Sequence, residues 1–236
     1  METEIPALLR GREEAFTFHS SRMRMRNVTP EELQAMNEQT ARAATELADA
    51  RCDVVATACL VALMAQGPGY HCTAEDQIRA VLQAEGAPAP VVSSAGALLD
   101  GLRSLGATKI AMVTPYEEPL TRKVAAYIGA GGVEVHDAVS LAVSDNQAVA
   151  ALDPADLQEN WKRLDLSGCD ALVLSACVQM PSLPSIDPVE RACGLPVVSA
   201  ATATTFAMLD ALGLSTRIPR AGQLLSGEVA AMSSPA

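Results

Sequence analysis

Two cysteines stand at matching places in the sequence, each directly after a short apolar run that predicts a buried strand. Cys59 follows Val54-Val-Ala-Thr-Ala, and Cys177 follows Leu172-Val-Leu-Ser-Ala. A thiol at the carboxyl end of a parallel strand meets the free N–H groups of the next turn or helix, which favour its thiolate. Two such thiols on opposite sides of one cleft can act as nucleophile and acid, or as two opposed bases, on a small carbon acid or alkene.

An internal repeat connects the two cysteines. Downstream of Cys59 and Cys177, the segment Pro90-Val-Val-Ser-Ser-Ala is echoed by Pro196-Val-Val-Ser-Ala-Ala, and upstream Phe18-His is echoed by Val135-His. Three echoes in the same order indicate a duplication. If a pseudo-twofold axis relates the halves, both thiols face one cleft, and we interpret them as functional rather than as buried core cysteines.

The other four cysteines lack this symmetry and are interpreted as core or surface residues; they are Cys52, Cys72, Cys169 and Cys193. The group formed by His71, Cys72 and Cys52 has none of the spacings that are typical of zinc ligands. We therefore expect no metal.

Short runs rich in Val, Ile and Ala predict seven strands. They span residues 15–20, 53–58, 90–93, 109–113, 132–139, 171–175 and 195–199. Helical patterns lie between them, and Thr29-Pro30 and Asp153-Pro154 are typical helix starts. This alternation predicts an α/β fold with doubly wound parallel sheets in two pseudo-symmetric lobes.

The repeat also predicts how the chain divides between the lobes. We assign residues 1–93 and 199–236 to the N-terminal lobe and residues 94–198 to the C-terminal lobe, with the site in the cleft between them. The second half opens on the strand at residues 109–113, whereas the first half opens on Glu2-Thr-Glu-Ile-Pro, which resembles the helix that follows that strand. The first strand of the N-terminal lobe is therefore missing, and we expect it to be encoded upstream.

Composition argues against several classes of protein. The 236 residues are 49% apolar but only 3% aromatic, and the net charge is −11 without a cluster of Lys or Arg. Such a surface does not favour binding to nucleic acid or to an anionic membrane. No apolar run is long enough to span a bilayer, and no signal peptide is evident. We expect a cytoplasmic protein with reduced thiols.

Several segments together carry a likeness to a known family. They are Glu2-Thr-Glu-Ile-Pro-Ala-Leu-Leu, Phe18-His-Ser-Ser-Arg-Met-Arg-Met, Ala58-Cys-Leu-Val-Ala, Ser93-Ser-Ala-Gly-Ala-Leu, Val113-Thr-Pro-Tyr and Val178-Gln-Met-Pro-Ser-Leu. From Glu2 to about Leu225, the chain resembles the maleate cis–trans isomerases of the aspartate/glutamate racemase superfamily. Amino-acid racemases have Asn-Thr after the first cysteine, where this chain has Leu60-Val61. Arylmalonate decarboxylases keep one of the two cysteines, and this chain has both.

The resemblance implies a cofactor-independent isomerisation of maleate to fumarate by a cytoplasmic homodimer. Cys59 would add to the alkene and form a succinyl thioether, and Cys177 would lie opposite as acid/base. Tyr116 and Asn146 match positions at which the family holds the substrate carboxylates. Further anion donors are expected in the backbone N–H groups after the two cysteines, at Leu60, Val61, Val178 and Gln179.

Alternatives remain for both the residues and the activity. Tyr116 can be a turn aromatic packed on the surface, Asn146 a loop or capping residue, and Ser93 and Ser94 helix caps rather than residues of the cleft. A substrate-holding Asn that the family places after its first strand has no counterpart here. The alternative activities are a racemase or decarboxylase of another small carboxylic acid, or a ligand-binding relative without turnover.

Overall fold

Strands and helices alternate along most of the chain in this computed structural model, which describes residues 2–229. The strands in that part are β1 (Val55–Thr57), β2 (Val91–Ser93), β3 (Lys109–Thr114), β4 (Glu134–Ser140), β5 (Ala171–Ser175) and β6 (Val197–Ser199). The helices are α1 (Glu4–Leu9), α2 (Pro30–Asn37), α3 (Thr40–Ala48), α4 (Leu60–Met64), α5 (Tyr70–Ala84), α6 (Ser94–Ser104), α7 (Glu118–Ala130), α8 (Asn146–Ala150), α9 (Leu157–Asn160), α10 (Leu183–Cys193) and α11 (Ala200–Ala211).

The strands form two parallel sheets. The larger sheet has the order β4-β3-β5-β6, and the smaller one pairs β1 with β2. The larger sheet grows from β3 towards both sides, so the chain reverses direction across it between β4 and β5. Ligands in such doubly wound sheets bind beyond the carboxyl ends of the strands at this reversal. The predicted α/β fold with doubly wound parallel sheets is confirmed.

Burial explains why the central strands read as continuous apolar runs. All five residues of β5 are buried, as are the residues of β3 after Lys109, because helices cover both faces of the sheet. The edge strand β4 is half-buried over most of its length. Each buried Val or Leu side chain contributes about 1.5–3 kcal/mol relative to exposure, so these strands hold the sheet firmly in place.

The helix starts expected from the sequence are present. The Thr29 side chain accepts the N–H of Glu32, and Pro30 occupies the first helical position of α2. Asp153 likewise accepts the N–H of Ala155 at the start of a short 3₁₀ turn. A turn at residues 38 and 39 separates α2 from α3. No helix in residues 2–229 is long and apolar enough to cross a membrane.

The strand predicted at residues 15–20 is wrong. By the repeat this segment corresponds to β4, which is held by its ladder to β3. No strand precedes β1 within residues 2–229, so residues 15–20 have no ladder partner and carry no regular structure. Between residues 20 and β1, Asn27 pairs in β fashion through a single antiparallel bridge to Asp145.

Candidate functional site

One cavity brings together every residue that the sequence predicts to act on a substrate. It has a volume of about 850 Å³ and lies beyond the carboxyl ends of β1 and β5. The predicted residues in its lining are Cys59, Leu60, Val61, Tyr116, Asn146, Cys177, Val178 and Gln179. The repeat therefore leads to a single cleft in which both cysteines lie.

Cys59 enters this cavity from the N-terminus of α4. It occupies the N-cap position directly after β1 and Ala58, and its side chain is half-buried. Leu60 and Val61 are the first two residues of the helix, so their N–H groups have no acceptor within α4. The N–H that bonds the Cys59 sulfur is that of Ala62, and the role of the Leu60 and Val61 N–H groups as anion donors stays a prediction.

The expected lowering of the thiol pKa is wrong for Cys59. The pKa of Cys59 is raised from 9.0 to about 12, mainly by burial; the N–H of Ala62 lowers it and the neighbouring Cys177 contributes a smaller increase. Helix α4 has only five residues, so its dipole is too small to offset desolvation of a thiolate. Cys59 is therefore a neutral thiol in the resting protein at neutral pH.

This protonation state predicts how the reactivity of Cys59 depends on pH. Because the thiolate is the nucleophile, alkylation of Cys59 by iodoacetamide should rise about tenfold per pH unit from pH 7 to beyond pH 9, without a plateau. The labelling rate is measured by mass spectrometry of the peptide that contains Cys59. A plateau near neutral pH would show instead that the folded protein lowers the pKa of this thiol.

Cys177 is held differently, in a loop rather than at a helix. It is buried at 8% exposure, and α10 begins only at Leu183. The Ser175 hydroxyl, at the end of β5, donates to the carbonyl of Cys177 at 2.9 Å and lies 3.4 Å from that of Met180. The loop is therefore fixed by hydrogen bonds to its own backbone, and the two halves of the site are not equivalent.

Tyr116 connects the two thiols. Its hydroxyl donates to the carbonyl of Ala176 at 2.9 Å, and the residue is 2% exposed. Burial raises the pKa of Tyr116 well above its usual value, and the nearness of Cys177 and Cys59, with a hydrogen bond to Cys177, adds to this effect. The side chain is thus a neutral phenol beside both cysteines, which rules out a surface turn aromatic.

Asn146 lies on another wall of the cavity, at the first position of α8. The cap of this helix is Asp145, whose carboxylate accepts the N–H of Ala148 at 2.7 Å. The Asn146 amide makes only a long bond, 3.4 Å, to the carbonyl of Met25. The backbone carbonyl of Asn146 accepts a hydrogen bond from the side-chain amide of Gln179 at 2.5 Å. Asn146 is therefore not the cap, and it lines the cavity together with Gln179.

The serines after β2 and β6 are structural. Ser93 accepts the N–H of Gly96 at 2.9 Å, and Ser199 forms a reciprocal cap with Thr202 at the start of α11. Ser94 is fully buried. None of the three serines lines the cavity. Ser93 and Ser199 are helix caps, whereas the buried Ser94 hydroxyl makes no hydrogen bond within residues 2–229 and is not a cap.

The cavity also has lining residues that were not assigned to the site from the sequence. They include Thr57, two residues before Cys59, and the extended segment that carries Phe18, His19 and Arg22. Phe18 is 48% exposed, which is unusual for a large apolar side chain. The sequence feature that could have identified this segment as part of the site is the motif Phe18-His-Ser-Ser-Arg.

In residues 2–229, no group of three or more His, Cys, Asp or Glu side chains is placed to hold a metal ion.

The doubly wound fold and its pair of cysteines in one cleft define a protein of the aspartate/glutamate racemase-like class. The model of the arylmalonate decarboxylase family matches residues 6–225. The chain is 57% identical to maleate isomerase from Geobacillus stearothermophilus, over 97% of this chain and 93% of that relative. The chain therefore belongs to the maleate isomerase family of enzymes, as the resemblance indicated.

Solved structures agree with this assignment. A Cys-to-Ala variant of maleate isomerase from Pseudomonas putida, with maleate, superposes with a TM-score of 0.95 at 52% identity, over 97% of this chain and 93% of that one. A Cys-to-Ser variant of the Nocardia farcinica maleate cis–trans isomerase carries a covalently bound succinylcysteine intermediate. It superposes with a TM-score of 0.94 at 48% identity, over 96% of this chain and 93% of that one.

Proposed function

We propose that this chain isomerises maleate to fumarate through a covalent adduct on Cys59, with Cys177 as the acid/base on the opposite side of the substrate. The observation that carries this proposal is the group formed by two thiols and a neutral phenol in one cavity. The succinylcysteine of the Nocardia farcinica relative, which formed in a variant with one cysteine replaced by serine, supports a single attacking thiol.

The first step makes a carbon–sulfur bond. The Cys59 sulfur attacks one alkene carbon as its proton leaves to water in the cleft, and the π electrons move to the neighbouring carbon. Cys177 gives its proton to that carbon, which completes the succinyl thioether and leaves a Cys177 thiolate. A neutral resting Cys59 suits this order, because a preformed thiolate would repel the incoming dianion.

The second step releases the trans isomer. The former double bond is now single and rotates, which separates two like charges whose repulsion at 4 Å is about 1 kcal/mol in water and larger in a cleft of low dielectric. Cys177 then removes a proton from the carbon that was protonated, the double bond forms again, and the Cys59 sulfur leaves and regains a proton from water. Both thiols return to their starting state, so the cycle balances.

Neutral donors hold the two carboxylates in this acidic chain. The Tyr116 hydroxyl can turn from the Ala176 carbonyl to a substrate oxygen, and the long bond of the Asn146 amide is readily exchanged. Backbone N–H groups at Leu60, Val61, Val178 and Gln179 complete the set. Neutral donors stabilise an anion without trapping it as a buried cation would, which favours release of fumarate.

Removing the Tyr116 hydroxyl tests this role. Tyr116→Phe should lower kcat/KM about 10–100-fold, because a hydrogen bond to a charged group contributes about 1.5–3 kcal/mol. The matched control is Tyr127→Phe, since Tyr127 is equally buried but its hydroxyl contacts His71 outside the cavity. Steady-state kinetics of both variants should show the loss only at Tyr116; equal losses would remove the substrate-binding role.

The activity itself is tested by incubating the purified chain with maleate and following the alkene protons by NMR. Conversion of the maleate signal into the fumarate signal is the expected result. No conversion over a day at high enzyme concentration would refute the proposal. Turnover of another small carboxylic acid by racemisation or decarboxylation, without action on maleate, would instead assign a different activity of the same superfamily.

The division of the chain also remains a proposal. We assign residues 1–93 and 199–236 to one lobe and residues 94–198 to the other, in a cytoplasmic homodimer. The division into lobes is supported by the separate sheets, since β1 and β2 fall in the N-terminal lobe and β3, β4 and β5 in the C-terminal lobe.

Light scattering on the purified protein tests the proposed homodimer, and a monomer at micromolar concentration would contradict it.

A further inference from the structure

A buried carboxylate at the start of α1 holds the loop that carries Cys177. Glu4 is 7% exposed, and its oxygens accept three hydrogen bonds. The N–H groups of Ser182 and Leu183 donate to one oxygen at 2.7 and 2.5 Å, and the Ser182 hydroxyl donates to the other at 3.2 Å. The partners lie 178 positions apart in the sequence, so this contact joins the N-terminal helix to the second half of the chain.

These bonds replace the cap that α10 lacks. Ser182 is the N-cap residue, yet its own side chain makes no capping hydrogen bond. The free N–H groups at the start of this helix of 11 residues favour a negative charge, and Glu4 supplies it. A carboxylate is costly to bury without partners, so three donors on one side chain indicate a specific contact.

The contact lies beside the cavity. Thr3 and Ile5, on either side of Glu4, line the same cavity as Gln179 and Pro181, which precede Ser182. From Cys177 to Leu183 the loop is therefore anchored at its start by Ser175 and at its end by Glu4. The loop after Cys59 needs no such clamp, because α4 begins at once.

We infer that Glu4 is a positioning residue, which sets the place of the Cys177 thiol opposite Cys59 by fixing the far end of its loop. This inference deepens the proposed isomerisation and rests on it for its kinetic consequence. A displacement of about 1 Å of a reacting group can cost about 10²-fold in rate. Loosening one anchor should therefore affect the chemical step more than substrate binding, because Tyr116, Asn146 and the N–H groups after Cys59 lie outside this loop.

The test compares Glu4→Gln with a matched variant at the other end of α10. Glutamine keeps the shape and one acceptor oxygen but loses the charge. Glu190→Gln is the control, because Glu190 also accepts two backbone N–H groups, from Val197 at 2.8 Å and Gln223 at 3.0 Å, and it lies outside the cavity. Both variants are assayed well below their melting temperatures.

For Glu4→Gln we expect kcat to fall about tenfold with little change in KM. Alkylation of the buried Cys177 should become at least about fivefold faster, because the loop opens more often, while Cys59 labelling stays constant. Glu190→Gln should change none of these quantities more than about twofold, even if it melts at a lower temperature.

Two results would overturn the inference. One is a Glu4→Gln protein with the wild-type kcat and the wild-type rate of Cys177 labelling. The other is a Glu190→Gln protein that loses as much activity and protection as Glu4→Gln, since the effect would then be one of general stability. If the wild-type protein does not convert maleate, the proposed function fails, and the labelling of Cys177 still decides the role of Glu4.

Discussion

Replacing Cys59 with alanine is expected to abolish turnover of maleate, with a loss in kcat of at least about 10⁴-fold. The expectation follows from the covalent step, because alanine leaves no nucleophile at the position from which the substrate carbon is attacked. Cys59 is half-buried and caps a short helix without a strong structural hydrogen bond, so the variant should fold.

A matched control separates this effect from the loss of any thiol. Cys193 is also a half-buried free thiol, at the end of α10 and outside the cavity. Cys193→Ala should therefore keep kcat within about twofold. A Cys59→Ala protein that retains even a tenth of the wild-type kcat would exclude covalent attack by this residue.

Replacing Cys177 with serine should lower kcat by about 10²–10³-fold rather than abolish turnover, because a general acid/base typically contributes about 10²–10⁴-fold. Serine preserves the size of the side chain but holds its proton far more tightly, so both proton transfers become slow. The succinyl thioether on Cys59 should then persist, since its breakdown needs the base that the substitution removes.

Cys169 offers the control for this variant. It is a buried thiol of similar exposure, 7% against 8% for Cys177, but it does not line the cavity. Cys169→Ser should leave kcat near the wild-type value once the folded fraction is taken into account. Full activity of Cys177→Ser would show that this thiol transfers no proton in the reaction.

The parts of the fold that follow from local chemistry could be predicted from the sequence. Apolar runs located β3 and β5, because strands that are covered on both faces must be apolar throughout. The start of α2 followed from Thr29 and Pro30. The repeat placed Cys59 and Cys177 at equivalent strand ends, and a parallel fold brings such ends into one cavity.

Other features depend on tertiary contacts that no local pattern contains. Residues 15–20 have the composition of a strand, but a strand exists only beside a ladder partner. The pKa of Cys59 depends on how deeply the cleft buries the sulfur, and desolvation outweighs a short helix. The clamp from Glu4 to Ser182 joins positions that are far apart in the sequence, so the Glu2-Thr-Glu-Ile-Pro motif gave no indication of its role.

The central claim is that Cys59 bonds to the substrate, and peptide mapping tests it most directly. The Cys177→Ser protein is incubated with maleate, quenched in acid and digested, and the mass of each cysteine-containing peptide is measured by mass spectrometry. The wild-type protein, quenched during turnover, is mapped in parallel. We predict a mass increase equal to one maleic acid on the peptide that contains Cys59, and on no other. The same increase on a different cysteine peptide, or no increase in either protein, would contradict this account.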